Sequence, residues 1–333
     1  MMKRYQRQAI YAPFGKHGQS RLENTHIMIL GAGALGSHCA EILTRMGAGS
    51  LTIIDMDVVE TSNLHRQAIF DEMDAEQLQP KVIALENKLK LINSNVKITA
   101  LYQELTNNNI ENLLKMYQPD IVIDGMDNFT MRFLINEACH KCQIPWIYGA
   151  AVGSKGSVYA IDYTGPCFKC LLETVPQTGE SCAINGVLPP VIYQVASMEV
   201  SELLRWLSGH GFSKKLITMD SFTIDVKTLN ISGLKQHQCP VCERQHYEYL
   251  NQPRTQHVEK QCGNTYLLRF NPSVFNYATL LPTTIVKQND FAKLMTYQGY
   301  QMTLFKDGRM NVYGLDEEAD AQQLFLTLNK SVK

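Results

Sequence analysis

The sequence has no excess of positive charge and no apolar run long enough to cross a membrane. Lysine and arginine together number 31 against 32 aspartate and glutamate residues, which gives a net charge of −1. A balanced charge gives no reason to expect a nucleic-acid partner. No apolar stretch reaches the roughly 18 residues that a membrane span needs. Lys3 and Arg4 are not followed by an apolar segment, so we expect no secretory signal, no membrane partner and a cytoplasmic location.

Repeats and low-complexity tracts are also absent. The 333 residues are enough for one large domain with a small one, or for two of ordinary size. Nine cysteines are many for a chain expected in a reducing compartment, and their number is odd, so we expect no disulfide framework. Metal binding or catalysis is the better interpretation for some of them. Cys39 and Cys139 lie in apolar helical patterns, where burial as small hydrophobic residues is the simpler interpretation.

Short apolar runs alternate with helical patterns from residue 26 onward. The runs at 26–30, 51–55, 96–101, 120–124 and 144–149 are predicted strands. The alternation predicts a Rossmann-like, doubly wound, mainly parallel α/β sheet, in which ligands bind at the carboxyl ends of the strands. Beyond residue 156 the pattern changes, and we expect antiparallel strands to extend this sheet.

A polar segment with one proline, residues 251–261, precedes a tail of about 70 residues. We therefore expect one domain at 1–250, a linker at 251–261, and a small C-terminal α+β domain of unknown role at 262–333. Within the tail, "DFAKLMTYQ" (290–298) predicts a helix. The stretch at 300–314 predicts a hairpin that turns at Asp307-Gly308, and residues 317–332 predict a final helix.

The stretch "LGAGALG" (30–36) lies between a predicted strand and a predicted helix. Gly31, Gly33 and Gly36 have the spacing of a dinucleotide-binding loop, and Asp55 lies 19 residues beyond Gly36. In such a loop glycine lets the backbone approach phosphate groups, and the helix N-terminus favours negative charge. Close packing of helix on strand, without a ligand, is the simpler interpretation. The loop alone does not distinguish an NAD site from a site for another nucleotide.

The segments that follow favour a triphosphate. Asp55 opens a polar loop, and three cations follow at Arg66, Lys81 and Arg132, with the carboxylate of Asp127 in "DGMDNFTMR". This set suits ATP with Mg²⁺, because the metal takes carboxylate and phosphate oxygens and the cations stabilise departing pyrophosphate. For His65 a structural or solvent-facing role is the simpler interpretation. The candidate nucleotide-site residues are Gly31, Gly33, Ala34, Gly36, Asp55, Asp57, Ser62, Asn63, Leu64, His65, Arg66, Gln67, Lys81, Asp127, Asn128 and Arg132.

Two CxxC pairs, "CFKC" (167–170) and "CPVC" (239–242), lie about 70 residues apart. Each pair offers two thiolates at the spacing that tetrahedral Zn²⁺ prefers, and a four-cysteine set predicts a structural zinc site. A redox role and the absence of any metal are the alternatives. "CHKC" (139–142) has the same spacing but lies in a helical pattern without a partner pair. Cys182 stands in a loop-like segment, where a nucleophile and a passive thiol are both open interpretations.

Together these motifs resemble the ThiF/MoeB/HesA family, the bacterial relatives of ubiquitin-activating enzymes. The resemblance covers roughly residues 1–250 and rests on several motifs in combination. These are "RYQRQ" (4–8), "GAGALG" (31–36), "DMD" (55–57), "SNLHRQ" (62–67), "PK" (80–81), "DGMDN" (124–128), the two CxxC pairs and the Cys182 loop.

The resemblance implies a role for each matching residue. Gly31, Gly33 and Ala34 would back the nucleotide, and Asp55 would hold its ribose. Asn63, Arg66 and Lys81 would contact phosphates, and Asp127 would bind Mg²⁺. Arg7 would act on the active site of the other protomer of a homodimer, although a surface charge is the simpler interpretation. Zinc would bind Cys167, Cys170, Cys239 and Cys242, and the catalytic set would comprise Arg7, Arg66, Lys81, Asp127 and Cys182.

The activity that the resemblance implies is adenylation of a protein carboxylate. With ATP and Mg²⁺, the family adenylates the C-terminal glycine of a small β-grasp sulfur-carrier protein that ends in Gly-Gly. We expect the carrier of molybdopterin synthesis first and that of thiazole synthesis second. An NAD-dependent dehydrogenase and a zinc-stabilised binding protein are the alternatives of another class. The dehydrogenase would transfer hydride without releasing pyrophosphate, and the binding protein would hold ATP without turnover.

Overall fold

The computed structural model describes residues 2–172, 174, 186–252, 257–261 and 264–330. The predicted roles of Cys182 fall outside these ranges. Two compact units are present, one comprising Met1–Glu72 and Pro80–Gln252 and the other comprising Met73–Gln79 and Pro253–Lys333. The domain limits expected from the sequence, 1–250 and 262–333, stay a prediction. None of the helices in the described ranges combines the length and apolar character of a membrane span.

The first unit contains an eight-stranded sheet in the order β3-β2-β1-β4-β5-β6-β7-β8. Its strands are β1 (His26–Leu30), β2 (Ser50–Asp55), β3 (Lys97–Tyr102), β4 (Ile121–Asp124), β5 (Trp146–Val152), β6 (Lys155–Ile161), β7 (Lys215–Asp220) and β8 (Asp225–Asn230). The strands from β3 to β5 pair in parallel, and those from β5 to β8 pair antiparallel. The predicted fold class, a parallel sheet extended by antiparallel strands, is confirmed.

The described helices up to residue 251 are α1 (Met2–Ile10), α2 (Gly15–Glu23), α3 (Ala34–Met46), α4 (Glu72–Glu76), α5 (Lys81–Ile92), α6 (Ile110–Tyr117), α7 (Phe129–Cys142), α8 (Phe168–Leu171), α9 (Pro189–Leu207) and α10 (Glu248–Asn251). Of these, α4 is assigned from Met73 onward to the second unit. The central strand β1 is buried at all but its first residue, and Trp146 on β5 is fully buried in the core. Such runs, apolar on both faces, are typical of parallel strands covered by helices.

The second unit contains a six-stranded antiparallel sheet in the order β11-β12-β13-β14-β10-β9. Its strands are β9 (Val258–Lys260), β10 (Thr265–Arg269), β11 (Thr284–Gln288), β12 (Ala292–Tyr297), β13 (Tyr300–Phe305) and β14 (Arg309–Tyr313), and helix α11 (Glu318–Lys330) follows. The predicted final helix and the hairpin at Asp307-Gly308 are confirmed. Gly308 has a φ of +87°, the left-handed conformation that glycine accommodates in such a turn.

The helix predicted at 290–298 is wrong, because Ala292–Tyr297 form β12, an inner strand of the sheet. Gln298 and Gly299 have φ values of +49° and +88°, and Tyr297 lies opposite Tyr300. Two consecutive residues with positive φ make a tight hairpin turn whose twist matches that of the flanking strands. β12 also pairs with β11, so partners on both sides override the helical spacing of its apolar residues.

Candidate functional site

The predicted nucleotide residues lie where neighbouring parallel strands end. Strand β1 lies between β2 and β4 in the sheet. Gly31 follows β1, Asp55 ends β2, and Asp127 lies three residues after β4. Since parallel strands present their carboxyl ends at the same side of a sheet, these segments share one side. We refer to residues 31–36, 55–67, 81 and 124–128 as the nucleotide cleft.

Backbone packing accounts for two glycines of the loop and leaves the third for a ligand. A Cβ on Gly31, whose φ is +97°, would lie 2.6 Å from the carbonyl oxygen of Gly125. A Cβ on Gly36 would overlap the Gly31 carbonyl oxygen, whereas one on Gly33 would meet only the Gly125 carbonyl oxygen, at 3.9 Å. Gly33 precedes α3, whose N-terminus has no side-chain cap. The space and the uncapped helix end beside Ala34 fit a phosphate group.

Asp55 ties two segments of the cleft together. One carboxylate oxygen accepts a hydrogen bond of 2.7 Å from the backbone N–H of Ala32, and the other accepts one of 2.7 Å from that of Asp57. Burial raises the pKa of Asp55, and nearby Lys81 and the two backbone donors oppose this rise. A carboxylate oxygen can accept more than one hydrogen bond, so Asp55 retains capacity for ribose hydroxyl groups.

Lys81 is a buried cation at the start of α5. Its Nζ lies 3.1 Å from a carboxylate oxygen of Asp57, and its backbone N–H donates to the Asp57 carbonyl at 2.9 Å. Burial lowers the pKa of Lys81, but the carboxylates of Asp57 and Asp55 outweigh burial and raise it above its usual range. Pro80, just before it, forms an isolated β-bridge with Val58. Lys81 is therefore charged and fixed by both its side chain and its backbone.

The polar loop after β2 contains a short 3₁₀ helix, Thr61–Asn63, with a reciprocal cap between Glu60 and Asn63. Asn63 is buried, whereas His65 and Ser62 are exposed, and Leu64 is half-buried. His65 Nδ1 lies 3.2 Å from the Ser62 carbonyl oxygen, and the Arg66 guanidinium, which is half-buried, donates to the same oxygen at 2.8 Å. The loop is thus ordered by its own hydrogen bonds before any ligand is considered.

Gln67 is the buried member of the polar loop with an open acceptor. Its side chain is 3% exposed, and its Oε1 has no hydrogen-bond partner within the described ranges. A buried amide oxygen without a donor is costly in a folded protein. The Oε1 atom of Gln67 is therefore available to a hydrogen-bond donor that is not among the described residues.

Arg132 is buried, and its guanidinium contacts protein groups beside the cleft. Its Nε donates to Asp124 at 2.8 Å, and its terminal nitrogen donates to the carbonyl oxygens of Met126 at 2.6 Å and Gly149 at 2.8 Å. Its guanidinium also lies 5.2 Å from the centre of the Tyr148 ring. Burial lowers the pKa of Arg132, but Asp124 outweighs burial and raises it. These contacts hold the loop before Asp127, and a direct contact of Arg132 with a nucleotide stays a prediction.

Asp127 is the exposed carboxylate of the cleft. Asn128 donates to it at 3.3 Å and also caps α7, because its Oδ1 accepts the Met131 N–H at 2.9 Å. An exposed carboxylate beside ordered loops fits the oxygen ligand that Mg²⁺ prefers, and the cations Arg66 and Lys81 fit phosphate groups. The cleft residues therefore suit ATP with Mg²⁺.

Arg7 lies far from the nucleotide cleft of its own chain. It is an exposed residue of α1, the helix that is fixed by Tyr5 and Gln8. The Tyr5 hydroxyl accepts a hydrogen bond from Asn93 at 2.7 Å, and Gln8 Nε2 donates to the Met46 carbonyl at 2.8 Å. Met46 ends α3, so the helix separates this contact from the cleft by roughly 18 Å.

The four cysteines of the two CxxC pairs form one cluster. The Sγ atoms of Cys167 and Cys239 lie 3.6 Å apart, as do those of Cys170 and Cys242. All four sulfurs lie within 4.8 Å of one another. A tetrahedral zinc with Zn–S bonds of about 2.3 Å places its sulfurs about 3.8 Å apart, so the donor set and spacing fit this metal.

The surroundings of the cysteine cluster supply polar partners that the sequence did not single out. Asn136 on α7 donates to the Cys167 sulfur at 3.8 Å and accepts the Phe168 N–H at 3.0 Å. Gln236 donates to the Cys170 carbonyl at 3.1 Å. Hydrogen bonds of this kind orient metal ligands and stabilise thiolates. Gly125 was also missed, although it stands in the "DGMDN" motif and lies against Gly31.

The ThiF family matches residues 5–241. The sulfur carrier protein ThiS adenylyltransferase of Bacillus subtilis (strain 168) is 34% identical over 333 residues, covering 98% of each chain. The molybdopterin-synthase adenylyltransferase of Escherichia coli (strain K12) is 31% identical over 245 residues, covering 72% of this chain and 96% of its own. The chain therefore belongs to the ThiF family, and the family predicted from its motifs is confirmed.

A solved structure supports the fold. The crystal structure of E. coli MccB with MccA-N7isoASN has a TM-score of 0.62 and 22% sequence identity, covering 73% of this chain and 75% of that one. Identity at this level supports a shared fold. The likeness to that structure therefore concerns the fold alone.

We expect the cysteine cluster to hold about one zinc ion per chain, and Cys239→Ser to lower zinc content and thermal stability together. Cys239 is fully buried and supplies one of four converging sulfurs, and structural zinc binding is coupled to folding. Metal analysis and a melting curve on the same preparation test this. Cys142→Ser is the control, because Cys142 lies outside the cluster. Unchanged zinc in Cys239→Ser would show that the two pairs do not share an ion.

Proposed function

We propose that this protein uses ATP to adenylate the C-terminal carboxylate of a small β-grasp sulfur-carrier protein that ends in Gly-Gly. The observation that carries the proposal is the cleft itself. At one side of the sheet, the cleft has free space beside Gly33, the fixed cation Lys81 and the exposed carboxylate of Asp127. These are the groups that an ATP-dependent adenylation needs, and relatives of this chain are named adenylyltransferases of sulfur carriers.

In this proposal the backbone of the glycine loop and Asp55 hold the nucleoside side of ATP. Gly31, Gly33 and Ala34 allow close approach to the first phosphates, and the N-terminus of α3 favours their negative charge. Asp55 accepts the ribose hydroxyl groups with the lone pairs that its two backbone donors leave open. Both roles use groups that the fold has already fixed, so the protein loses little conformational entropy when ATP binds.

The reaction needs little acid–base chemistry. The carrier carboxylate attacks the α-phosphorus of ATP, the bond between the α-phosphorus and the bridging oxygen breaks, and pyrophosphate leaves with that oxygen. The products are the acyl-adenylate and pyrophosphate. Asn63, Arg66 and Lys81 stabilise the charge that gathers on the leaving group. Asp127 is the residue that would hold Mg²⁺, which neutralises phosphate charge when bound.

We propose that the carrier tail reaches the cleft along a groove on the antiparallel part of the sheet. The groove has a volume of ≈ 430 Å³ and is lined from Phe129, two residues after Asp127, through Tyr148 and Lys155 to Thr218 and Lys227. It continues to the β7–β8 hairpin, where large apolar side chains are exposed. They are Phe222, Ile224, Val226 and Leu229. An exposed apolar patch of this kind marks a protein interaction site.

Ile224 is the strongest candidate for a carrier contact. It is 89% exposed and has a φ of +57°. A β-branched residue in this conformation is a strained outlier, and such outliers cluster at functional sites. Burial of the Ile224 side chain against a partner would offset the free-energy cost of its exposure and of its strained backbone.

Ile224→Asp should raise the KM for the carrier about tenfold or more while the KM for ATP stays the same. The reason is that an apolar contact is replaced by a charge that the carrier must desolvate. Steady-state kinetics with each substrate varied in turn test this. Met116→Asp is the control, since Met116 is exposed on α6 and lies outside the groove. Equal carrier KM values in both variants would exclude the hairpin as the docking surface.

We propose the carrier of the thiazole branch as the substrate, in place of the molybdopterin carrier expected first from the motifs. The ThiS adenylyltransferase of B. subtilis aligns with 98% of this chain, and so includes its C-terminal unit. The molybdopterin-synthase adenylyltransferase of E. coli aligns with 72%. A tail shared over the full length supports a shared carrier.

ATP–pyrophosphate exchange with purified carriers tests the function and the choice of carrier. We expect exchange with the thiazole carrier, none without carrier, and none with a carrier that lacks its last glycine, because the attacking carboxylate is then misplaced. Exchange only with the molybdopterin carrier would reverse the choice of pathway. No exchange with either carrier, in protein that binds ATP, would overturn the adenylation itself.

The proposed enzyme acts as a homodimer in the cytoplasm. Supply of Arg7 by a neighbouring chain requires at least a dimer, and Arg7 lies too far from its own cleft to act there. The cysteine cluster requires reduced thiols, which the cytoplasm maintains. Cys182 stays a proposed covalent participant, tested by exchange activity and by carrier conjugation in Cys182→Ala.

A further inference from the structure

The second compact unit contains a short piece of chain from the middle of the ATP-binding region. Residues 73–79 are grouped with residues 253–333 and not with the sequence on either side of them. On one side, Phe70 is buried and its N–H donates to the Gln67 carbonyl at 3.0 Å. On the other side, Pro80 bridges to Val58 and leads into Lys81. The segment therefore connects the polar loop of the nucleotide cleft to its buried lysine.

One side chain of the C-terminal sheet holds this segment. Asn289, between β11 and β12, donates from Nδ2 to the carbonyl oxygens of Gln77 at 2.8 Å and Leu78 at 2.9 Å. Its Oδ1 accepts the N–H groups of Phe291 at 2.7 Å and Ala292 at 2.8 Å. The amide is thus oriented by two bonds to its own turn while it donates two bonds to the segment.

The backbone of the segment needs such support. Leu78 has a φ of +50°, a left-handed conformation that leucine rarely adopts, and its side chain is 6% exposed. Strained residues persist only where the surroundings determine their conformation. The bond from Asn289 to the Leu78 carbonyl lies at this strained position, two residues before Pro80.

A change in the segment has a direct covalent route to Lys81. Pro80 has a fixed φ, so displacement of Leu78 and Gln79 is passed on to the first turn of α5. There the Lys81 N–H donates to the Asp57 carbonyl at 2.9 Å, and its Nζ lies 3.1 Å from the Asp57 carboxylate. A shift of the Lys81 backbone therefore moves its ammonium group away from the position that contact with a phosphate requires.

We propose that Asn289 is a positioning residue, which fixes residues 73–79 and through them the position of Lys81 for ATP. The C-terminal unit then contributes to nucleotide binding without supplying a ligand to it. This inference rests on the proposed function in one respect, namely that Lys81 contacts ATP. It assigns a role to a part of the chain for which the sequence predicted none.

Asn289→Asp isolates the relevant bonds. Aspartate keeps the acceptor oxygen for Phe291 and Ala292 but cannot donate to Gln77 and Leu78. Asn271→Asp is the matched control. It makes the same chemical change in the same unit, and Asn271 Oδ1 accepts the Ser273 N–H, a bond that aspartate preserves. Hydrogen exchange of peptides covering 73–84 in the full chain should speed up about tenfold in Asn289→Asp and stay unchanged in Asn271→Asp.

A double-mutant cycle on the Kd for ATP, measured by calorimetry, tests the route through Lys81. We expect Asn289→Asp to weaken ATP binding about tenfold in the parent chain and less than about twofold in Lys81→Ala, because the residue it positions is then missing. Equal losses in both backgrounds, or no loss in either, would overturn the proposal, as would unchanged hydrogen exchange. If Lys81→Ala itself leaves ATP binding intact, the proposed role of Lys81 fails, and hydrogen exchange still decides whether Asn289 holds the segment.

Discussion

Replacement of Asp127 by alanine is expected to lower ATP–pyrophosphate exchange at least about a thousandfold while the protein remains folded. Asp127 is exposed, and its side chain accepts one long hydrogen bond of 3.3 Å from Asn128. Its removal therefore leaves no buried group without a partner. The loop is held instead by Asp124, Arg132 and Gly125, which the substitution does not touch. The large loss in rate comes from losing the carboxylate that would hold Mg²⁺ beside the phosphates.

Two further variants make this result specific. Asp127→Asn keeps the size of the side chain but removes its charge, and we expect it to require a higher Mg²⁺ concentration for the same exchange rate. Asp320→Ala removes an exposed carboxylate of α11 and should leave exchange unchanged. A melting curve and zinc content equal to those of the parent protein show that Asp127→Ala is folded. Full exchange in Asp127→Ala would exclude this residue as the magnesium ligand.

Much of the cleft could be predicted because its residues follow strand ends directly. Asp55 ends β2, and Gly31 follows β1, so an alternating pattern of strands and helices is enough to bring them together. The spacing within each CxxC pair is also local, whereas the meeting of two pairs that lie about 70 residues apart depends on the whole fold.

Arg132 shows where such reasoning ends. The sequence indicates a cation near a predicted nucleotide site but does not indicate which way its side chain points. The fold gives it a fully buried partner in Asp124 and the carbonyl oxygens of Met126 and Gly149 as acceptors. Burial of a charge is costly unless the charge is paired and hydrogen-bonded, and one of the acceptors of Arg132 is the distant Gly149 carbonyl oxygen. Gly149 lies on β5, so the sequence around Arg132 does not predict this contact.

The C-terminal unit shows a second limit. Residues 290–298 have apolar spacing that suits a helix, and the strand becomes favourable only when β11 and β13 lie on either side. The signal that could have been used is the Gln298-Gly299 turn, which is two residues long. Residues 73–79 belong to this unit because of long-range contacts such as those of Asn289. The spacing of apolar residues along the sequence does not predict such contacts.

The position of α1 gives a strong reason to expect Arg7 to act between chains. Tyr5 and Gln8 fix this helix at the C-terminal ends of α3 and α5, through Met46 and Asn93. The glycine loop and Lys81 lie at the opposite ends of the same helices. The length of α3, roughly 18 Å, exceeds the reach of an arginine side chain. Within one chain Arg7 therefore cannot contact the nucleotide, and it is either a surface charge or a residue of the partner's site.

Mixing two inactive variants decides between these alternatives. Arg7→Ala and Asp127→Ala chains should each lose exchange activity, because a guanidinium supplied across an interface stabilises charge on the transferring phosphate. If Arg7 acts on the neighbouring site, a mixed dimer has one site with both defects and one with neither. Random exchange of chains makes half of the dimers mixed, so activity should return to about a quarter of the parent value. Full activity of Arg7→Ala alone would identify a surface charge. Two inactive variants that do not recover on mixing, with exchange of subunits demonstrated by mass-tagged chains, would exclude the action between chains.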